Sequence, residues 1–343
     1  MISVENLTKY YDDFLAVDNL SFEIDEGHVY GFLGPNGAGK STTMNIITGC
    51  LSATAGKVTI GGHDILEEPQ AAKRMIGYLP EQPPLYMNET PLEYLEFVGE
   101  SKGIRGRELK QQIEEVVKQT GIEKVRNQLI STLSKGYKQR VGIAQALLGS
   151  PKVIILDEPT VGLDPIQIIE IRELIKSLGE SHTVIFSSHI LSEVQAICEQ
   201  VLIISGGKLV AFDTPENLET VMTETNGIYL SVQAPACEAA AAMELLDGLN
   251  EWTARDLPDG ATQIHIQTNE ADLRELGCLL FGAFAEKKLP IFEMYAKRAT
   301  LEDVFIELTE QSESKQPESD KEADEQANEA EKEAEKENEV SEA

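Results

Sequence analysis

At 343 residues, 41% hydrophobic and 26% charged, the chain has the apolar content for two compact domains and is too ordinary in composition for an integral membrane protein. Its longest apolar runs fall far short of the roughly 18 to 20 residues that a bilayer-spanning helix requires, so any membrane role is expected to be peripheral. A formal net charge of −30 argues against nucleic acid as a partner, because phosphate binding needs a basic footprint.

The N-terminal MISVENLTKYY lacks a basic region followed by an apolar one, so it does not read as a signal peptide, and the chain is expected in the cytoplasm. From residue 1 to about 220, short apolar runs alternate with helical stretches of mixed polarity. The runs are VYGFL (29–33), VTI (58–60), VIIL (153–156), TVIF (183–186) and VLII (201–204). This is the pattern of an α/β domain with a mostly parallel sheet. Its far edge is punctuated by Gly206, Gly207 and Pro215.

A smaller unit is expected over about 225–309. GIYLSVQ, EWTARDL, TQIHIQT and PIFEMYA read as strands, CEAAAAMELLDGL and EADLRELGCLLFGAFAEKK as helices. Their β-α-β-β-α-β order fits a ferredoxin-like α+β arrangement, closed by a last helix in ATLEDVFIELT. From 310 to 343 the chain holds 14 acidic residues against four lysines and almost no large apolar side chain, so this tail is expected to be disordered. The four cysteines, Cys50, Cys198, Cys237 and Cys278, show no paired or metal-ligand spacing and are expected to be reduced, mostly buried thiols.

The chemistry begins at GPNGAGKS, residues Gly34, Pro35, Asn36, Gly37, Ala38, Gly39, Lys40 and Ser41, which satisfy the phosphate-loop pattern G-x-x-x-x-G-K-S/T between an apolar strand and a helix. Glycines let successive backbone N–H groups turn toward phosphate oxygens, and the helix N-terminus adds partial positive charge. Lys40 then reaches the β- and γ-phosphates, Ser41 coordinates Mg²⁺ and Thr42 offers a second phosphate contact. The bland alternative is a glycine turn, and the motif alone does not separate ATPase, GTPase and kinase.

VIILDEPT (153–160) runs four apolar residues into two carboxylates, the look of a buried parallel strand whose C-terminal end faces a ligand site. Asp157 is expected to hold Mg²⁺, through water, and Glu158 to act on the attacking water as general base. Without the phosphate loop, the same residues would read as a solvated turn. A third stretch, LSKGYKQR (133–140), precedes the apolar VGIAQALL. Ser134, Lys135 and Gly136 sit at the start of a helix whose buried side is Val141, Ala144, Leu147 and Leu148, so its N-terminus forms an anion site, and the anion that suits it is the nucleotide of a second copy.

GPNGAGKS, LSKGYKQRVGIAQAL, VIILDEPTVGLD and the serine-histidine pair in IFSSHIL together resemble the nucleotide-binding subunit of an ABC transporter, over residues 1 to about 213. The resemblance implies a P-loop NTPase fold of the ABC ATPase type: a mostly parallel sheet core, an antiparallel edge, a helical subdomain at about 85–150 and, here, the small C-terminal α+β domain. It implies an ATPase using ATP and Mg²⁺ as a head-to-tail homodimer, each ATP lying between one phosphate loop and the other copy's signature loop. Tyr11, with Tyr10 beside it, resembles the aromatic that stacks on adenine. Asp164 resembles the aspartate coupling the two sites, and His189 the switch histidine at the γ-phosphate. Two departures stand out. The common signature LSGGQ is LSKGY here, and in IGYLPEQPPLY the coupling glutamine falls on Glu81, able to bind Mg²⁺ or its water, with Gln82 one residue beyond. If Gln82 takes that role, the loop shifts by a residue.

The family resemblance further implies an integral-membrane permease as a separate chain, placing the ATPase at the inner face of the cell membrane. LSKGY, YLPE and the C-terminal unit resemble exporters of the sodium-export and gliding-motility kind. A soluble ABC-type ATPase acting in regulation or immunity is the alternative. Members acting on DNA or ribosomes carry coiled coils, zinc modules or a second cassette that this chain lacks.

Overall fold

The computed structural model describes residues 1–221, 227–244, 246, 251–257, 260–267, 273–297, 302 and 305–306. Half-alternating apolar residues in the first stretch make a hairpin that buries one face. β1 (Ile2–Tyr11) and β2 (Phe14–Ile24) pair antiparallel from Ile2↔Ile24 to Tyr11↔Phe14. The chain then enters β3 (Val29–Leu33) and α1 (Lys40–Ile47), before β4 (Ala55–Ile60) and β5 (His63–Asp64) return to complete a four-stranded sheet of order β2-β1-β4-β5.

Runs without alternation suit only strands covered on both faces, and β3 is buried at every position. After α2 (Pro69–Arg74) it is joined by β6 (Ile76–Leu79), β7 (Val153–Leu156), β8 (Thr183–Ser188), β9 (Gln200–Ser205) and β10 (Lys208–Asp213) in a sheet of order β10-β9-β3-β8-β7-β6. Strands β9 to β6 are parallel, and β10 adds an antiparallel edge. The two sheets share one core, in which Val4, Leu20, Phe22 and Ile60 pack with Tyr30, Phe32, Ile155 and Leu202. This is the α/β fold of a P-loop NTPase.

Between β6 and β7 the chain builds a helical layer. Thr90 caps α3 (Pro91–Ser101) reciprocally with Glu93, and α4 (Gly106–Thr120) stops at Gly121 in the left-handed region. α5 (Lys135–Leu147) returns to the sheet, close enough to β6 that a Cβ on Gly77 would lie 2.2 Å from the Ala146 carbonyl oxygen. α6 (Pro165–Gly179) and α7 (Leu191–Ile197) follow β7 and β8. No helix among the described residues is long and apolar enough to cross a membrane.

The chain divides at Thr214/Pro215. The second unit holds α8 (Pro215–Val221), β11 (Gly227–Val232), α9 (Ala236–Met243), β12 (Glu251–Asp256), β13 (Thr262–Gln267), α10 (Leu273–Glu286) and β14 (Ile291–Lys297). Its antiparallel sheet has the order β12-β13-β11-β14. Ile228, Leu230, Ile264 and Ile266 pack with Leu276, Leu280 and Phe284 of α10. On the other face His265, Tyr229 and Tyr295 stack across three strands, with ring centroids 4.2 and 5.4 Å apart. The closing helix expected at ATLEDVFIELT lies outside the described residues apart from 302, 305 and 306, and so does the acidic tail.

The expectation that the cysteines are mostly buried is corrected: only Cys198 is, and burial pushes its thiol pKa well up. Cys278 shows why, since it falls off the α10 stripe of Leu273, Leu276, Leu280 and Phe284 that faces the core. Helix phase, not residue type, decided the exposure.

Because the Gly77 approach is to backbone, which cannot rotate away, Gly77→Ala is expected to displace α5 and cost about 2 kcal/mol of stability, read from the denaturant midpoint of unfolding.

Candidate functional site

β3 ends in the middle of its sheet, and the chain turns through 34–39 into α1. Gly37 and Gly39 have φ of 80° and 94°, a region that side chains with a Cβ disfavour. A Cβ at Gly34 would lie 2.4 Å from the Ile204 carbonyl oxygen, and one at Gly39 2.5 Å from that of Ala16. The turn is therefore clamped between β9 and the first hairpin. No side chain caps α1 and no acidic residue enters its first turn, so its N-terminal N–H groups suit an anion.

Lys40 is buried at 6% exposure and donates to the carbonyl oxygens of Gly34 (2.8 Å) and Pro35 (3.1 Å). Its Nζ stands 3.8 Å from Glu158 Oε1. Burial lowers the Lys40 pKa, opposed first by the charge of Glu158 and then by Asp157, with Glu81 a weaker contributor.

The carboxylates arrive on β7. Asp157 Oδ1 accepts from Ser41 Oγ at 3.2 Å and from Ser187 Oγ at 2.6 Å. The Ser187 hydroxyl also accepts from the Glu158 N–H at 2.8 Å. Glu158 has φ 45°, a costly conformation for a residue with a Cβ, and one found where a site over-determines the backbone. That turn sends Oε1 toward Lys40 and Oε2 to within 3.0 Å of His189 Nδ1. Lys40, Ser41, Asp157, Glu158 and His189 thus form one cluster, drawn from the ends of β3, β7 and β8.

A second cluster forms where α5 and α6 begin. Ser134 is the N-cap of α5 and accepts from Tyr137 N–H at 3.4 Å, while Asp164 caps α6 by accepting from Ile166 (3.0 Å) and Gln167 (2.9 Å). Gly136 is buried, with Gln167 carboxamide atoms 2.7 Å from where its Cβ would stand. Lys135 Nζ would meet a Cβ on Gly162 at 2.2 Å. Among the described residues, no hydrogen bond or ion pair joins these groups to the loop 34–41.

Of the rest, Glu81 and Gln82 are exposed in the bend after β6; the Glu81 charge acts on Lys40 and on Tyr78, whose hydroxyl pKa burial raises. Tyr11 is exposed near the tip of the first hairpin, with Lys9 Nζ 5.1 Å from its ring centroid.

Compared with known proteins, residues 17–161 match the model of the ABC transporter family. The linearmycin resistance ATP-binding protein LnrL of Bacillus subtilis (strain 168) is 33% identical over 310 residues, spanning 90% of this chain and 98% of that protein. The chain belongs to the ABC transporter ATP-binding proteins. The bacitracin transport ATP-binding protein BcrA of Bacillus licheniformis is 34% identical over 90% of the chain and 97% of its own length. Among solved structures, the dimeric post-hydrolysis state of the ATP-binding cassette MJ0796 bound to ADP and Pi superposes at TM-score 0.57 and 30% identity, covering 62% of this chain and 98% of that one.

As an ABC ATPase the chain binds and hydrolyses ATP, and the first cluster is equipped for it: loop N–H groups and a buried cation for phosphate, hydroxyl and carboxylate oxygens suited to a hard cation, and a carboxylate in reach of an imidazole. Sequence reasoning missed Ser187, which bridges Asp157 and the Glu158 backbone, and Gln167, which covers Gly136. The signal for Ser187 was present in IFSSHIL, where a buried strand of apolar residues ends in two hydroxyls that must find partners.

Ser187→Ala removes the donor to Asp157 and the acceptor of the Glu158 N–H together. Steady-state ATPase assays are expected to show kcat reduced about tenfold.

Proposed function

We propose that this chain is the ATPase subunit of an exporter, working as a head-to-tail homodimer on a separate integral-membrane permease at the inner face of the cell membrane. The observation that carries the reading is the single carboxylate of Glu158 placed between Lys40 (3.8 Å) and His189 (3.0 Å), beside the Ser41–Asp157 pair.

In this reading the N–H groups of 34–39 and the Lys40 ammonium hold the β- and γ-phosphates, with Lys40 exchanging the Gly34 and Pro35 carbonyls for phosphate oxygens. Thr42 adds a phosphate contact from the first turn of α1. Glu158 takes a proton from the attacking water, and His189 steadies that carboxylate and reaches the γ-phosphate. Mg²⁺ fits the donor chemistry, since Ser41 and Asp157 present oxygen ligands 3.2 Å apart and Glu81 acts electrostatically on the same lysine. A Mg²⁺ ion bound here would complete its shell with waters and phosphate oxygens. When bound, Mg²⁺ would neutralise charge on the β- and γ-oxygens. Glu81 or Gln82, both exposed in the bend after β6, takes the coupling position, and the charge of Glu81 acts on Lys40. Tyr11 stacks on adenine.

In the same reading Ser134, Lys135 and Gly136, at the N-terminus of α5, serve a second copy's nucleotide, and Asp164, at the head of α6, links the two sites. A permease contact is supported by exposed Tyr86, Met87, Phe97 and Leu129 around α3, where the Tyr86 and Phe97 rings are 5.2 Å apart. Exposed apolar side chains in such a group mark an interaction surface. Export is supported by relatives named for bacitracin and lantibiotic transport and for linearmycin resistance.

Glu158→Gln is expected to lower kcat roughly 10²- to 10⁴-fold and to accumulate an ATP-bound dimer on size-exclusion chromatography. Turnover at the parent rate would remove Glu158 as the base. Phe97→Asp is expected to abolish co-purification with the permease.

A further inference from the structure

Among the described residues, the proposed hydrolytic cluster leaves one buried carboxylate unused. Glu193, in the first turn of α7, is 0% exposed. Its Oε2 accepts from Thr160 Oγ1 at 2.7 Å and from Ser188 Oγ at 2.9 Å. Ser188 Oγ accepts in turn from the Ile190 N–H at 3.0 Å. Glu193 Oε1 faces Arg172 Nη2 at 3.5 Å, and neither that oxygen nor Arg172 Nε has a hydrogen bond among the described residues.

The partners come from separate parts of the chain. Thr160 lies two residues past Glu158, Ser188 immediately before His189, and Arg172 on α6, the helix that Asp164 caps. Burying a carboxylate is costly unless its partners hold it. The His189 side chain is 44% exposed, against 9% for Glu158, so the imidazole has little packing of its own to fix it. Its orientation depends on the backbone at Ser188 and Ile190, which is where the Glu193 network fastens.

We propose that Glu193 is a positioning residue for ATP hydrolysis. It ties the chain after Glu158 to the chain around His189, holding the pair in one geometry, and through Arg172 it connects that geometry to α6. The proposal rests on Glu158 and His189 forming the hydrolytic pair, which Glu158→Gln tests separately.

The test uses the full chain carrying Glu193→Gln, which keeps side-chain size and one acceptor oxygen but loses the charge facing Arg172. Ser188→Ala, which cuts only the link to the His189 backbone, is the second variant. In both, kcat is expected to fall about tenfold with KM for ATP within about twofold, because the contacts of 34–41 are untouched. The chain has five histidines, so its side-chain ¹⁵N spectrum is short enough to assign, with His189→Gln identifying the His189 signal. That signal is expected to move in both variants while those of His28, His63 and His182 stay in place. An unmoved His189 signal overturns the proposal whatever the rate does, and so does a KM that rises in step with the loss of kcat. If Glu193→Gln fails to fold, Ser188→Ala decides alone. The spectrum reads His189 independently of whether Glu158 is the base, so failure of that assignment remains distinct.

Discussion

The ammonium of Lys40 is the charge around which the rest of the candidate nucleotide site is arranged. Buried as it is, it needs oxygen partners, and it finds two carbonyls of its own loop and one carboxylate from β7. In the sheet, β8 stands between β3 and β7. The approach of Lys40 to Glu158 therefore spans the end of β8, and the residues leaving that strand, Ser187 and His189, fall within reach of Asp157 and Glu158. Parallel register thus converts one buried charge pair into a five-residue cluster.

The oxygen partners of Lys40 explain how such a cation can be stored and then used. Carbonyl oxygens stabilise the ammonium without neutralising it, and they can give way to phosphate oxygens that carry full charge. Around this one lysine stand Asp157, Glu158 and Glu81, an acidic surplus that suits a site completed by a divalent cation. The strained backbone at Glu158 fits the same picture: with φ at 45°, its side chain stands where one carboxylate oxygen meets Lys40 and the other His189.

The signature stretch LSKGYKQR is bound to the loop preceding α6 more closely than its motif suggests. Lys135 Nζ lies over Gly162 and the Gln167 carboxamide over Gly136, so a side chain at either glycine would first have to push aside the flexible end of a residue from the other segment. These contacts join the head of α5 to the head of α6, where Asp164 is the cap. Lys135, a departure from the common signature, is in this sense part of the contact between the two segments.

What the sequence determined by itself was whatever depends on local backbone. Unbroken apolar runs specify strands covered on both faces, and glycines at 34, 37 and 39 specify a turn that other residues cannot make, so the fold class and Lys40, Ser41, Asp157 and Glu158 were legible as motifs. Contacts between distant side chains were not. That Ser187 holds Asp157, that Glu193 joins Thr160 to Ser188, that Gln167 covers Gly136 and that three of four cysteines are exposed follow from sheet order and helix phase. Strand order and register bring residues about 30 positions apart within hydrogen-bond distance, and no local pattern encodes which pair will meet.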